Sequence, residues 1–258
     1  MRRMQEAEIK DVLDAVRATR ELSFPGYGKA EVEKRKSEDA TEVVTRLDYE
    51  IEERLAKELS ALDGSVSFVG EEYGGDRGAQ RFWLCDPIDG TGNYVRGIPV
   101  CSTMLARIEN GKVAFSVIYD FVNDDMYHAV KGGGAFRNGE PLSVSGRAYT
   151  GAYIYYESNL DLPGNLERYH TIRKKTAILK TMSAGYELAM VASGKVEARI
   201  CKDPYGKDYD FAPGTLLVAE AGGVVKNIGS DSYDYTNLNF IAATSAFYEE
   251  ISATKLFG

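Results

Sequence analysis

Apolar residues recur every three or four positions in two early segments of the chain, a spacing that predicts two amphipathic helices. Their apolar stripes are Ile9, Val12, Leu13 and Val16 in the first helix, and Leu47, Ile51, Leu55, Leu59 and Leu62 in the second. We expect Pro25-Gly26 and Gly28 to end the first helix, and Gly64 to end the second. Between them, the charged residues 31–39 predict a solvated loop or, alternatively, a lid that brings a lysine to a phosphate.

Shorter apolar or alternating runs predict strands. These runs are 66–69, 82–85, 101–108, 113–119, 125–130 and 134–137. Because Gly111-Lys112 and Asn138-Gly139 favour tight turns, we expect the last four runs to form an antiparallel meander.

After Pro141, the chain contains both the helical spacing of apolar residues and the short apolar runs of strands. These patterns predict strands near 152–156, 196–200, 224–225 and 240–243, and helices near 165–174, after Ser183 and after Asp210. We expect the tail after Thr244 to be too short to add an element. These patterns predict an α+β protein with an N-terminal lobe, residues 1–140, and a C-terminal lobe, residues 141–258.

Composition narrows the range of partners. With 258 residues, 44% hydrophobic and 27% charged, the chain has the make-up of a soluble globular protein with a substantial core. The excess of 39 acidic over 31 basic residues, a net charge of −8, argues against a nucleic-acid-binding surface. No apolar run approaches membrane-spanning length and no apolar signal segment follows the first residues, so we expect a cytoplasmic protein without a membrane partner.

Cysteine and histidine offer little chemistry. Cys85, Cys101 and Cys201 are widely spaced and form no CxxC motif, which argues against a disulfide framework or a zinc site. His128 and His170 are the only histidines, so a histidine-based catalytic site is disfavoured. Carboxylates remain as the reactive groups, and they favour a hard metal ion held by oxygen.

The densest polar chemistry follows the apolar run 82–85. Asp86 and Asp89 lie there with a proline, a glycine and the hydroxyl of Thr91. Because alternate side chains of an extended backbone point the same way, we expect the two carboxylates to converge on a cation. Gly90 and Thr91 would open a helical turn whose N–H groups hold a phosphate. An ordinary Asp-Pro/Asp-Gly turn is the structural alternative.

Two acidic segments on the N-terminal side have comparable structural alternatives. Thr45 and Asp48 have the spacing of a helix capping box. Glu71 and Glu72 follow a glycine at the end of a predicted strand, where acidic pairs are usually solvated but where a glycine also lets a ligand approach the backbone.

Two segments of the C-terminal half are also open to either interpretation. Ser183 is expected to cap a helix, and the alternative is contact with a substrate hydroxyl. Asp210 lies where another N-cap would be, with Pro213 in the first turn of the helix.

Taken together, these segments resemble the inositol monophosphatase family of magnesium-dependent, lithium-sensitive phosphatases. Residues 86–93, DPIDGTGN, resemble its DPxDGTxN signature, with the usual tryptophan at Trp83. Asp210, Ala212 and Gly214, followed by the AGG of residues 221–223, resemble its WDxAAG and AGG motifs. The smaller matches, in family order, are Thr45-x-x-Asp48, Gly70-Glu71-Glu72 and the glycines around Asn138-Gly139.

The resemblance implies a layered α/β/α/β/α sandwich, a homodimer, and two or three Mg²⁺ ions in each site. The implied metal ligands are Glu71, Asp86, the carbonyl of Ile88, Asp89 and Asp210. The implied catalytic residues are Asp48, Glu71 and Thr91, which orient a metal-activated water for in-line attack on phosphorus. The implied phosphate contacts are Gly90 and Thr91. The implied substrate contacts are Asp89, Ser183, Ala184, Asp203 and Asp210.

Departures from the family pattern affect the expected substrate more than the chemistry. Tyr209 stands in place of the usual tryptophan, Pro213 in place of an alanine, and Met182 in place of the glycine before the serine. The segment 201–208 is longer than in the family, and Asp203 is the acidic residue there that we expect to contact substrate hydroxyls.

The resemblance favours hydrolysis of a small sugar or polyol phosphate, with inositol 1-phosphate as the first candidate. The alternatives are fructose 1,6-bisphosphate, alone or as a second activity, and 3′-phosphoadenosine 5′-phosphate. A catalytically silent binding protein is the alternative from another class, and the presence of all the expected carboxylates argues against it.

Overall fold

The computed structural model describes residues 4–35 and 43–257. Their helices are α1 (Glu6–Ala18), α2 (Arg20–Gly26), α3 (Arg46–Leu62), α4 (Thr91–Arg96), α5 (Asn165–Arg173), α6 (Ala184–Ala192), α7 (Asp208–Glu220) and α8 (Ser245–Ala253). Their strands are β1 (Lys34–Arg35), β2 (Val43–Val44), β3 (Ser67–Gly70), β4 (Arg81–Asp89), β5 (Ser102–Glu109), β6 (Lys112–Asp120), β7 (Asp125–Val130), β8 (Gly134–Arg137), β9 (Glu140–Pro141), β10 (Tyr153–Ser158), β11 (Ala177–Leu179), β12 (Ala198–Lys202), β13 (Val224–Asn227) and β14 (Phe240–Ala243).

Two sheets and three helical layers alternate through the molecule. The apolar stripes of α1 and α3 pack on the outer face of a sheet ordered β3-β4-β5-β6-β7-β8-β9. Helices α6 and α7 fill the space between that sheet and a second one, ordered β11-β10-β12-β14-β13. Helices α5 and α8 cover the far face of the second sheet. The expected α/β/α/β/α sandwich is therefore confirmed.

Strand pairing also agrees with the meander expected from the turn residues. Strands β4 to β9 pair antiparallel, each with the next, and β3 adds to β4 in parallel. In the second sheet, β10 runs parallel to β11 and β12, while β14 runs antiparallel to β12 and β13.

The tail after Thr244 was expected to add no element, and that expectation is wrong. It forms α8, where the hydroxyl of Thr244 accepts the N–H of Phe247 at 3.1 Å as an N-cap. Phe247 and Ile251, four residues apart, are buried against the second sheet. Four-residue spacing puts both on one face of the helix, so even a short tail buries an apolar stripe.

The helix expected to end near Pro25-Gly26 is divided in two. Helix α1 ends at Ala18 and α2 continues through Pro25 to Gly26. Of the charged loop 31–39, Lys34–Arg35 pairs with Val43–Val44, and 36–39 lie outside the described residues.

Within the described ranges, no helix is long and apolar enough to span a membrane. The first sheet lies within residues 67–141 and the second within 153–243, on either side of the predicted lobe boundary. The division into lobes 1–140 and 141–258 stays a prediction, because α6 and α7 pack against both sheets.

Candidate active site

Strand β4 supplies two carboxylates through a local irregularity in its pairing. Asp86 pairs with Met104 and Asp89 with Ser102, so three steps along β4 match two steps along β5. One residue of β4 is therefore extra, which defines a β-bulge. Pro87 lies in the bulge, where its missing N–H costs no regular ladder hydrogen bond.

The bulge reverses the phase of the side chains. Before it, Leu84 faces the core around α6 and α7, and Cys85 faces the core under α1 and α3. After it, Ile88 packs in the core under α1 and α3, although simple alternation would place it on the other face. Asp86 and Asp89 are three residues apart and would point apart in a regular strand. The reversal brings both carboxylates toward the middle helical layer. The expected convergence is therefore present, but its cause is the bulge and not the simple alternation of side chains.

Helix α7 supplies the third carboxylate. Asp210 is the third residue of the helix, and its carboxylate accepts the N–H of Lys207, the N-cap. The expectation that Asp210 itself is the cap, with Pro213 in the first turn, is wrong by three residues. Pro213 lies in the second turn, where it lacks the N–H that would bond to the carbonyl of Tyr209.

The three side chains meet at one point. One carboxylate oxygen from each of Asp86, Asp89 and Asp210 lies within 4.8 Å of the other two. Asp86 Oδ1 is buried and has no hydrogen-bond partner among the described residues. An oxygen-only donor set with an unpartnered buried carboxylate oxygen suits a hard divalent cation such as Mg²⁺.

Burial determines the electrostatics of this cluster. It raises the pKa of Asp86 and Asp210 well above the ordinary carboxyl value, and the neighbouring Glu71 and Asp89, respectively, raise it further. Burial also raises the pKa of Asp89, although hydrogen bonds from Ser183 and the α6 backbone oppose that rise. Among the described residues, no lysine or arginine forms an ion pair with the three carboxylates. The cluster therefore favours a bound cation or retained protons.

Asp48 serves two contacts at once. Its Oδ2 accepts the N–H and the hydroxyl of Thr45 at 2.8 and 2.7 Å, so the predicted capping box is present. Its Oδ1 lies 3.3 Å from Thr91 Oγ1, which lies 2.8 Å from the carbonyl oxygen of Ile88. Burial, partly opposed by those Thr45 hydrogen bonds, raises the pKa of Asp48 to about 7. The structural and chemical interpretations of this residue are thus compatible.

Helix α6 points its N-terminus at Asp89. Ser183 Oγ and the N–H of Gly185 donate to Asp89 Oδ2, and the N–H of Ala184 donates to Oδ1 at 3.2 Å. A Cβ on Gly185 would lie 2.6 Å from Ser102 Oγ and 3.0 Å from Asp89 Oδ2. Only glycine fits there without displacing those oxygens, so the backbone can approach the carboxylate closely.

Two adjoining cavities open on the cluster. The first, about 450 Å³, is lined by Glu71, Asp86, Thr91 and Asp210, among others, and we call it the carboxylate cavity. The second, about 620 Å³, also reaches Asp210, together with Asp89, and we call it the adjoining cavity. Their combined size suits a phosphate group beside a small organic group.

Comparison with known proteins identifies the family. A sequence model of the inositol monophosphatase family matches residues 4–256, nearly the whole chain. The chain belongs to the inositol monophosphatase family. It is therefore a phosphatase, a phosphoric monoester hydrolase.

Relatives in this family carry different names. The chain is 31% identical over 244 residues to "Nus factor SuhB" of Pseudomonas aeruginosa, covering 90% of this chain and 89% of the relative. It is 30% identical over 217 residues to "Fructose-1,6-bisphosphatase/inositol-1-monophosphatase" of Thermotoga maritima, covering 81% of each. A solved inositol monophosphatase structure from Thermotoga maritima superposes with a TM-score of 0.85 at 27% identity, covering 96% of this chain and 97% of that one.

One residue nominated from the family pattern lies away from both cavities. Asp203 is held in a turn with φ of 52°, where its carboxylate accepts from Asn165 Nδ2 at 3.0 Å and from Lys202 Nζ at 2.9 Å. Asp203 is the first residue after β12, and the assignment of a substrate contact to it stays a prediction. Asp203 does not line either of the cavities at which the other predicted site residues of this inositol monophosphatase homologue meet.

Sequence reasoning missed the buried charges that support the site. Glu52 accepts the N–H groups of Glu72 and Tyr73, both at 2.9 Å, and so holds the turn that carries Glu71. An acid one helical turn after Asp48, on the apolar side of α3, was the available signal. Arg199, with Glu157 and Glu187, was also missed, and no local sequence pattern pairs residues so far apart.

Proposed function

We propose that this chain is a Mg²⁺-dependent phosphatase acting on a small sugar or polyol phosphate, with inositol 1-phosphate as the first candidate. The observation that carries the proposal is the group of Asp86 and Asp89, both buried, and half-buried Asp210, whose oxygens lie within 4.8 Å of one another beside the turn at Gly90 and Thr91. Asp86 contributes an oxygen without another partner in the described structure. Three mutually close carboxylates need a cation to be ionised together.

The proposed ligands are all oxygen donors around the carboxylate cavity. They are Glu71, Asp86, the carbonyl of Ile88, Asp89 and Asp210, which together offer enough oxygens for two or three ions. When bound, Mg²⁺ would act as a Lewis acid toward the phosphate and would lower the pKa of water.

The phosphate would lie at the start of α4. Gly90 has φ of +81°, and a Cβ there would lie 2.8 Å from the carbonyl oxygen of Val100, so the turn requires glycine. The first N–H groups of a helix have no partner within it, which leaves those near Thr91 free to face an anion.

Glu71 and Thr91 would orient the attacking water. The Thr91 hydroxyl can donate a hydrogen bond to Asp48 Oδ1 or to the Ile88 carbonyl, and its lone pairs can then accept a hydrogen bond from the water. Ionised Asp48 accepts the hydrogen bond from the Thr91 hydroxyl, which links the role of Thr91 to the protonation of Asp48. The leaving group would lie toward the adjoining cavity, near Ser183 and Ala184. Asp203 does not enter this proposal, because its carboxylate is engaged elsewhere.

Fructose 1,6-bisphosphate is the second candidate. The name of the Thermotoga relative includes both activities. In this chain Lys180, an exposed cation, lines the adjoining cavity and is positioned to meet a second phosphate. A bisphosphate would thereby be bound at both ends.

Phosphate release from a panel of substrates tests the proposal. The panel contains inositol 1-phosphate, fructose 1,6-bisphosphate, 3′-phosphoadenosine 5′-phosphate and histidinol phosphate, each with and without Mg²⁺, and with Li⁺ as an expected inhibitor. Release that requires Mg²⁺ is expected from at least one polyol or sugar phosphate. If no compound releases phosphate with Mg²⁺, the chain is a silent binding protein and the proposal fails.

Lys180→Met separates the two substrates. It should raise KM for the bisphosphate by about tenfold and leave KM for inositol 1-phosphate within about twofold, since only the bisphosphate has a second phosphate to contact Lys180. Sedimentation of the same preparation checks the homodimer that we infer from the family resemblance.

A further inference from the structure

Arg199 is a fully buried cation beside the adjoining cavity. It lies on β12 with a side chain 2% exposed, and its guanidinium lies over the ring of Phe211, 5.1 Å from the centroid. It forms ion pairs with Glu157 of β10 on one side and with Glu187 of α6 on the other. A planar guanidinium can bond two carboxylates at once in a fixed geometry.

Each of these two carboxylates uses its other oxygen to hold a loop. Glu157 Oε1 accepts the N–H groups of Tyr205 and Gly206, at 2.9 and 3.1 Å. Glu187 Oε1 accepts the N–H groups of Met182 and Ser183, at 2.6 and 3.2 Å. Arg199 is therefore connected through two side chains to the backbone of two separate loops.

The two loops form the passage between the cavities. Met182, Tyr205 and Gly206 line both the carboxylate cavity and the adjoining cavity. Ser183, next to Met182, donates its hydroxyl to Asp89. The distance between the loops thus sets the width available to a leaving group whose phosphate lies on the carboxylate side.

Arg199 lies between two carboxylates, that of Glu187, 1% exposed, and that of Glu157, 13% exposed. Without a cation between them, Glu157 and Glu187 would repel each other, and the charge of Glu187 would be buried without a counter-ion. Movement of the two side chains away from each other would reduce this repulsion, and each side chain would carry its loop with it.

We propose that Arg199 is a positioning residue for the leaving group, which fixes the separation of loops 182–183 and 205–206 through Glu187 and Glu157. This inference rests on the proposed phosphatase function for its kinetic consequence only. Arg199 acts through two other residues, so its loss should affect binding of the organic group more than the chemistry at phosphorus.

The test compares Arg199→Met with Arg147→Met. Arg147, whose side chain is 58% exposed, forms an ion pair with Glu197, whose other oxygen accepts the N–H of Tyr153 at 2.7 Å, so the control removes an arginine-carboxylate-backbone link of the same kind at a more exposed place. Neither Arg147 nor Glu197 lines either cavity. Arg199→Met should raise KM for the active phosphate ester by at least about tenfold with kcat within about threefold. Competitive inhibition by inorganic phosphate should stay unchanged, and Arg147→Met should leave KM at the wild-type value.

Two further measurements keep the result decisive. The triple variant R199M/E157Q/E187Q removes all three charges, and with them the repulsion between the two side chains, which favours folding if Arg199→Met alone misfolds. Its KM should still be raised, because no arginine bridges the two side chains and fixes their separation. Amide hydrogen exchange at Met182, Ser183, Tyr205 and Gly206 should accelerate by at least about tenfold in Arg199→Met and remain slow in Arg147→Met.

The outcomes separate the two proposals. If the wild type releases no phosphate, the proposed function fails, and the exchange measurement still decides the role of Arg199. If exchange at the four amides is unchanged, or if KM shifts equally in both arginine variants, the positioning role is overturned.

Discussion

Two groups of largely buried acids lie within this site, and they differ in how their charges are compensated. Glu157 and Glu187 share Arg199, a cation that the chain itself provides. Asp86, Asp89 and Asp210 converge without an ion-pair partner from the described residues, and their pKa values are raised by burial. The first group is neutralised within the protein, whereas the second presents converging carboxylate oxygens that suit a cation from solution.

This difference suggests separate roles for the two groups, one in holding the backbone and the other in binding a cation. A carboxylate neutralised by a fixed arginine can hold backbone in place, because neither partner exchanges with solvent. Carboxylates that form no ion pair within the protein can bind an exchangeable cation together with a substrate phosphate. The two groups are linked by Ser183, which Glu187 holds through its N–H and which donates its hydroxyl to Asp89.

The largest expected effect comes from changing a carboxylate of the second group. Asp89→Asn keeps the shape of the side chain but removes a charge that we propose binds Mg²⁺, so kcat should fall by more than about a hundredfold. The matched control is Asp203→Asn, because Asp203 was nominated from the same family pattern but is engaged with Asn165 and Lys202. Steady-state phosphate release and far-ultraviolet circular dichroism measure activity and fold.

The control variant should keep wild-type activity. A folded Asp89→Asn protein with near-normal turnover would contradict the ligand assignment. Equal losses in both variants would instead place Asp203 in the site and contradict the position that the structure gives it.

A smaller effect is expected at Thr91, the first residue of α4, which contacts Asp48 at the start of α3. Thr91→Val preserves shape and removes the hydroxyl that contacts Asp48 and the Ile88 carbonyl. Loss of this orienting contact should lower kcat by about tenfold and leave KM nearly unchanged, a cost typical of residues that support metal ligands. Thr91→Ser should recover most of the activity, as measured by the same assay.

Thr19→Val is the matched control for the threonine substitution. Thr19 is equally β-branched, is buried, and donates its hydroxyl to the Val16 carbonyl at 2.7 Å, on a segment that lines neither cavity. Unchanged kcat in Thr91→Val, or an equal loss in Thr19→Val, would argue against an orienting role for Thr91.

The sequence predicted the first helices, the meander and the family motifs because each is a local pattern. Apolar periodicity places α3, and the spacing of Thr45 and Asp48 places its cap. The convergence of Asp86 with Asp89 depends on a one-residue bulge, which periodicity alone does not reveal. The family resemblance nominated both residues without explaining how they meet.

Other parts of the site depend on tertiary packing, which sequence spacing does not show. Arg199, Glu157 and Glu187 come from a strand, a second strand and a helix, and only the folded sheet brings them together. The surroundings of Asp203 were also not predictable from spacing, since its backbone conformation and its hydrogen bond to Asn239 depend on how the loop folds.

The last expected effect concerns stability rather than catalysis, and it depends on the pH at which the carboxyl groups ionise. A carboxyl group whose pKa is raised by folding contributes stability that is fully present below its unfolded value and is lost as pH rises through its folded value. The stability that Asp48 contributes is lost between about pH 4 and about pH 7, because its pKa is raised from the ordinary value to about 7. The stability that Asp86 and Asp210 of the cluster contribute is lost at higher pH, because burial raises those pKa values further. The melting temperature of chelator-treated protein should therefore fall by several degrees between about pH 5 and about pH 8.

If Mg²⁺ binds the ionised form of the cluster, as we propose, it should reverse that decline by stabilising the folded state by mass action, by about 2.7 kcal/mol at a hundredfold excess over Kd. Differential scanning fluorimetry with and without Mg²⁺ at both pH values measures the effect. Asp86→Asn removes one buried charge from the cluster, so the variant should lose less stability at high pH and gain less from Mg²⁺ than the wild type. A variant that matches the wild type in both respects would mean that Asp86 does not take part in cation binding, and the contrast between the two acidic groups would then rest on Asp89 and Asp210 alone.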